Sequence, residues 1–186
     1  MEKNARLTAY VGLVLLVLLA FEFGSGVVVG KLLTLHGLVG FFTIPPLVLK
    51  LGSAGYRFIR YYTGDPRYRA AGPPATAQRL LAPLLVALTV IVFVSGIELW
   101  FFGVRFGFFW VPIHHGSAYL WFAVAALHLI AYIRRAPALV AADWQDHLGG
   151  ALTRQSVVIA SLVLGIVLLL AMASLSSPYT FVHEGS

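Results

Sequence analysis

An all-α integral membrane protein with five transmembrane helices is the fold class this sequence predicts, and three observations carry it. Of 186 residues, 60% are hydrophobic and only 11% are charged. The mean hydropathy of +0.88 exceeds what one soluble core buries. Apolar runs of the roughly 20 residues needed to cross a bilayer core recur at about 8–30, 32–61, 78–102, 111–134 and 155–175. They make one membrane domain over 1–186, with no internal repeat and no second unit.

The first run, "LTAYVGLVLLVLLAFEFGSGVVVG", carries a single acid, Glu22. Its small residues Gly24, Ser25 and Gly26 offer the alternative of a cleaved leader, but no A-x-A pattern follows the apolar region, so the run is read as a retained span. A short link around "GKLL" turns the chain into the second span, which contains Pro45 and Pro46. The stretch "YYTGDPRYRAAGPPATAQR" breaks every periodicity with Gly, Pro and charge and reads as a loop. The third span carries Glu98, and the fourth is the histidine-bearing "WVPIHHGSAYLWFAVAALHLIAYIRR". "RAPALVAADWQDHLGGALTR" reads as a second loop before the fifth span.

Charge sets the expected orientation. With the N-terminus inside, Lys3, Arg6, Arg57, Arg60, Arg67, Arg69, Arg79, Arg134, Arg135 and Arg154 are cytoplasmic, while Lys31 and Arg105 face outward and Lys50 is intramembrane. That asymmetry follows the positive-inside rule and predicts a multi-pass membrane protein with its C-terminus outside. The pI near 9.9 does not predict nucleic-acid binding, because the basic residues lie between apolar runs rather than on one face. The absence of cysteine removes disulfides, thiolate-held clusters, covalently attached c-type haem and cysteine nucleophiles.

Imidazoles are expensive in hydrocarbon and mark function there. Spans two and four run in the same direction, so His36 and His114 lie at similar depth, a few residues from their starts. His128 follows His114 by fourteen residues. That spacing is nearly four whole turns and about 21 Å of rise, so both imidazoles face one way. Two b-type haems, each clamped between facing helices, need such an arrangement. The outer pair is His36 with His114, beside Gly37, Gly40 and Gly116. Fourteen residues beyond His36 stands Lys50, level with His128; only a neutral lysine amine could ligate iron, and Pro45 and Pro46 intervene. His115 points about 100° away from His114 and reads as a neighbour. Glu22 and Glu98 lie near the depth of the outer pair, as proton-exchanging groups or as partners of Lys31 or Arg105. Arg57, Arg60 and Arg134 lie where inner propionates would emerge. His147 and His183 fall in loop and tail with no assigned role.

Span two with its loop, "LHGLVGFFTIPPLVLKLGSAGYRFIRYYTGDPRYRAAGPP", together with "HHGSAYLWFAVAALHLIAYI", resembles a family of small bacterial integral-membrane b-type cytochromes over about residues 30–175. The H-x13-H spacing is similar to that of dihaem respiratory cytochromes b. The resemblance implies His36, His114 and His128 as haem ligands with Lys50 as the fourth, the last a departure from the respiratory pattern. The resulting expectation is an electron carrier with one or two haem b groups. It would exchange with the quinone pool and with a redox protein on the outer face, near "FFGVRFGFFWVPIHH", possessing enzymatic activity only as the membrane subunit of an oxidoreductase. A proton or ion transporter and a haem-free membrane anchor are the alternatives, the first requiring ionisable groups continuous along the interior.

Overall fold

A computed structural model describes residues 2–70, 72–73, 76–130, 132–145 and 149–175. His147 and His183 lie outside them. The described chain is helical: α1 Glu2–Val27, α2 Val29–Tyr62, α3 Pro66–Arg69, α4 Thr76–Phe102, α5 Trp110–Ile130, α6 Arg135–Gln145 and α7 Ala151–Ala173. Five of these, α1, α2, α4, α5 and α7, are long and apolar enough to cross a membrane. Their outward faces carry large apolar side chains such as Val17 and Leu170, 70% and 62% exposed, the surface a lipid phase would cover.

The connections follow local chemistry. Helical geometry lapses at Val28 and again at Leu32, so α1 and α2 form a tight antiparallel pair. In the first loop, Asp65 accepts a hydrogen bond from the Arg67 amide at 2.9 Å, pairs with Arg60 and starts the one-turn α3 behind Pro66. The second loop departs from the sequence expectation, because Arg135–Gln145 is helical. Pro137 reads as a breaker, yet in the first turn of a helix it forfeits no intrahelical bond. The fourth span ends at Ile130 rather than near 134, where the Tyr132 amide closes a turn onto the Leu129 carbonyl at 2.8 Å.

Packing divides the helices into two groups. α1, α2 and α7 pack together with α6 against α1, and α4 packs along α5; α2 and α4 join the groups through a narrow contact. The buried cluster Val11, Leu15, Leu47 and Val158 belongs to the first group. Pro46 lacks the N–H that would bond the Phe42 carbonyl. Gly165 of α7 sits directly on that carbonyl, where a Cβ would lie only 2.5 Å from the oxygen. Close backbone approach is thus built from a proline on one helix and a glycine on the other.

A buried charge cluster ties the shorter helix in. Asp143 of α6, 1% exposed, pairs with Arg6 of α1 at 3.2 Å and with Arg154 of α7. Arg6 also pairs with Glu2 at 2.7 Å. Burial raises the Asp143 pKa, but hydrogen bonds and charge from Arg154 and Arg6 outweigh it and hold the carboxyl below its ordinary 3.8.

Two outcomes follow from this packing. Gly165→Val should destabilise the protein in detergent by about 1–3 kcal/mol through overpacking, and unchanged unfolding would show that α2 and α7 do not meet there. Asp143→Asn, which removes the anion shared by two buried guanidinium groups, should cost about 3 kcal/mol at neutral pH. Because the folded pKa is depressed, that stabilisation is complete above the unfolded value of about 4 and is lost as pH falls through the folded value. The stability difference between wild type and variant should therefore be flat at higher pH and shrink only in acid.

Candidate histidine cleft

Between the two helix groups lies a cleft of about 450 Å³, walled by α1 and α2 on one side and α4 and α5 on the other. Its walls are almost entirely apolar, and its ionisable side chains are Glu22, His36, His114, His115 and Tyr119. Ring contacts bridge the two groups: Phe23 of α1 meets Phe122 of α5 at 5.0 Å, and Phe41 of α2 meets Trp100 of α4 at 5.4 Å. Deeper along α5, the Trp121 indole donates to Thr89 Oγ1 at 2.7 Å.

Each of the two central histidines is tethered through Nδ1. His36 Nδ1 lies 2.9 Å from Glu22 Oε2 and 3.0 Å from Ser25 Oγ. The Ser25 hydroxyl already donates to the Glu22 backbone carbonyl, so both partners accept. His114 Nδ1 lies 3.1 Å from Ser95 Oγ and 3.1 Å from the Val92 carbonyl. The Ser95 hydroxyl donates back to the Ile91 and Val92 carbonyls. Partners that only accept assign the proton of each neutral ring to Nδ1, leaving Nε2 with its lone pair. The two rings are 6.2 Å apart between centroids and inclined at 78°.

That separation fits one metal atom held between two imidazoles. Two bonds of about 2.0–2.1 Å in line with two ring radii of about 1.1 Å span about 6.3 Å. Among the described residues no group of three or more His, Cys, Asp or Glu is placed to hold a metal ion. The cleft volume lies in the range of cofactor pockets, about 300–1,000 Å³.

The glycines divide by role. Gly40 lines the cleft with open space where its Cβ would be, whereas Gly37 is taken up by the Trp100 indole, 2.5 Å from that position. Gly116 also faces open space but is not part of the cleft wall. Gly26 and Gly96 admit the His36 and His114 rings, at 3.6 Å and 3.0 Å from their Cβ positions. His115 lines the cleft beside His114, with ring centroids 6.2 Å apart.

The inner level is arranged differently. Lys50 Nζ passes over Gly12 and donates to the Thr8 carbonyl of α1 at 2.7 Å. His128 stacks against Tyr132 at 5.0 Å, and its Nδ1 is buried without a hydrogen-bond partner. The fourteen-residue step nevertheless survives Pro45 and Pro46: His36 sits at Gly26 and Lys50 at Gly12, fourteen residues along α2 and fourteen back along α1.

Glu22 pairs with His36 and not with Lys31 or Arg105. Both Glu98 oxygens are buried without hydrogen-bond partners. Of the three arginines expected near inner propionates, Arg60 pairs with Asp65, Arg134 is exposed, and Arg57 has a buried Nε with no partner. Sequence reasoning missed the orienting residues Ser25 and Ser95. Their only signal is a small polar residue inside an apolar span, one turn from a carboxylate in the first case.

No family model, no curated protein and no solved structure matches this chain.

The tautomer assignment is directly measurable. Nitrogen-15 NMR of protein labelled at histidine should show His36 and His114 protonated at Nδ1 and bare at Nε2. Ser95→Ala should leave His114 bonded to the Val92 carbonyl alone. An Nε2-protonated majority at either residue would contradict the hydrogen-bond assignment.

Proposed function

We propose that this protein is a membrane-bound b-type cytochrome whose haem iron is held between His36 of α2 and His114 of α5. The observation that carries the reading is the paired imidazoles, 6.2 Å apart across an apolar cleft with both Nδ1 atoms engaged and both Nε2 atoms free. Metal-bound histidines characteristically give their other nitrogen to a carboxylate, carbonyl or hydroxyl, which fixes ring orientation and basicity. Haem bound there would supply one-electron transfer.

The chain's own residues divide the remaining work. Glu22 and Ser25 orient His36, and Ser95 with the Val92 carbonyl orients His114. The Glu22 carboxylate increases the electron donation of the His36 ring, which favours the oxidised state of a bound metal and lowers its potential. Gly40 leaves the wall flat, and the aromatic contacts at the rims exclude water from the slot. One site is carried into the proposal, because the Lys50 amine at the inner level donates to the Thr8 carbonyl. The protein is then an electron carrier within a bacterial inner membrane, N-terminus inside. It exchanges between quinone in the bilayer and a redox protein docked at the outer face.

Purified protein expressed with sufficient haem should give a sharp α-band in the dithionite-reduced minus oxidised spectrum, with one haem per chain by pyridine haemochrome. His36→Ala and His114→Ala should each abolish it, whereas Lys50→Met should leave it intact. Glu22→Gln should keep the haem and raise its reduction potential. Colourless protein after expression with added haem, or full haem content in both histidine variants, would overturn the proposal.

A further inference from the structure

At the end of the bundle where α2 and α5 finish, buried donors on Arg57 and His128 lack acceptors. Lys50 and Arg57 are seven residues apart and share one face of α2, while the rings of His128 and Tyr132 lie 5.0 Å apart where α5 ends. Arg57 makes no hydrogen bond or ion pair among the described residues, and its Nε is buried. His128 Nδ1 is likewise buried without a partner. The two helices bring these groups into mutual electrostatic reach: Lys50 with Arg57, Lys50 with His128, and Arg57 with Tyr132 and Arg135. Among the described residues no salt bridge joins a carboxylate to Lys50, Arg57 or His128.

Like charges held together in a poorly solvated place repel, and a buried guanidinium nitrogen without an acceptor is costly. Both costs are removed by one anion. The surroundings specify its kind, because exposed apolar side chains flank the cluster on both helices: Phe58 and Ile59 on α2, Ile130 and Ile133 at the end of α5. A small inorganic anion has no use for that apolar rim. We propose that this cluster is a binding site for one anionic phospholipid, its phosphate held by Arg57 with His128 and Tyr132 and its acyl chains lying on the flanking apolar residues. A planar guanidinium makes two parallel bonds to phosphate oxygens, which suits Arg57 to the central role. The site is separate from the histidine cleft and does not depend on what that cleft binds.

Native mass spectrometry on the full chain, released from nanodiscs of phosphatidylcholine containing a minority of phosphatidylglycerol, tests it. Wild type should retain one phosphatidylglycerol, and Arg57→Gln should lower the retained fraction by about tenfold. Arg57→Lys, which keeps the charge but not the fork, should fall between, and serves if the first variant fails to fold. Arg60→Gln, whose arginine pairs with Asp65, should behave as wild type. Equal retention in Arg57→Gln, or equal loss in Arg60→Gln, would overturn the site. Displacement of the lipid by inorganic phosphate, which then binds in its place, would assign the cluster to a soluble anion. Loss of haem rather than lipid in Arg57→Gln would assign it to a propionate.

Discussion

Polar groups placed in hydrocarbon have no water to fall back on, and the histidine cleft of this bundle answers to that constraint. Histidines, serines, threonines and a lysine sit in helices otherwise made for lipid, and their partners lie on the neighbouring helix. Ser25 and Glu22 serve His36; Ser95 and the Val92 carbonyl serve His114; the Thr8 carbonyl serves Lys50. The pairs that hold the helices together are thereby the ones that fix the direction of each polar side chain. Positioning of the site and cohesion of the fold share one set of interactions.

The α1–α2 pair shows how one register does both. Antiparallel helices that step fourteen residues in opposite senses put His36 at Gly26 and Lys50 at Gly12. At the upper level the small residue leaves room for an imidazole and a carboxylate supports it. At the lower level the same slot is filled by an amine that reaches the backbone. Similar space with different neighbours yields a tethered, outward-facing ring in one case and a side chain spent on its own scaffold in the other.

The cleft is the other consequence of packing. Strong contacts hold α1, α2 and α7 together, and α4 to α5, while few join the two groups. The gap between them is closed at its rims by aromatic pairs and keeps the paired imidazoles at its centre. A bundle with this division has a natural place for a flat apolar ligand, and the proposed haem would be the component that joins the halves. At the opposite end, unpaired donors around Arg57 pose the complementary problem, an excess of charge that an anion resolves.

Composition, run length and helix rise determined that this chain is helical, that five of its helices are long and apolar enough to cross a bilayer, and that His36 and His114 come together. These follow from helix rise and from the energetic cost of placing backbone in lipid, which are local and additive. The α6 helix was not legible, because whether Pro137 breaks or starts a helix depends on where the preceding turn ends. Nor was the fate of Lys50 legible: its depth is a property of sequence, but its direction is decided by Gly12 and Thr8 on a different helix. The partner of Glu22, the tautomers of both histidines and the cleft itself were settled by how helices lie side by side. Hydrogen bonds and voids belong to pairs of helices, and no single helix contains the information to choose them.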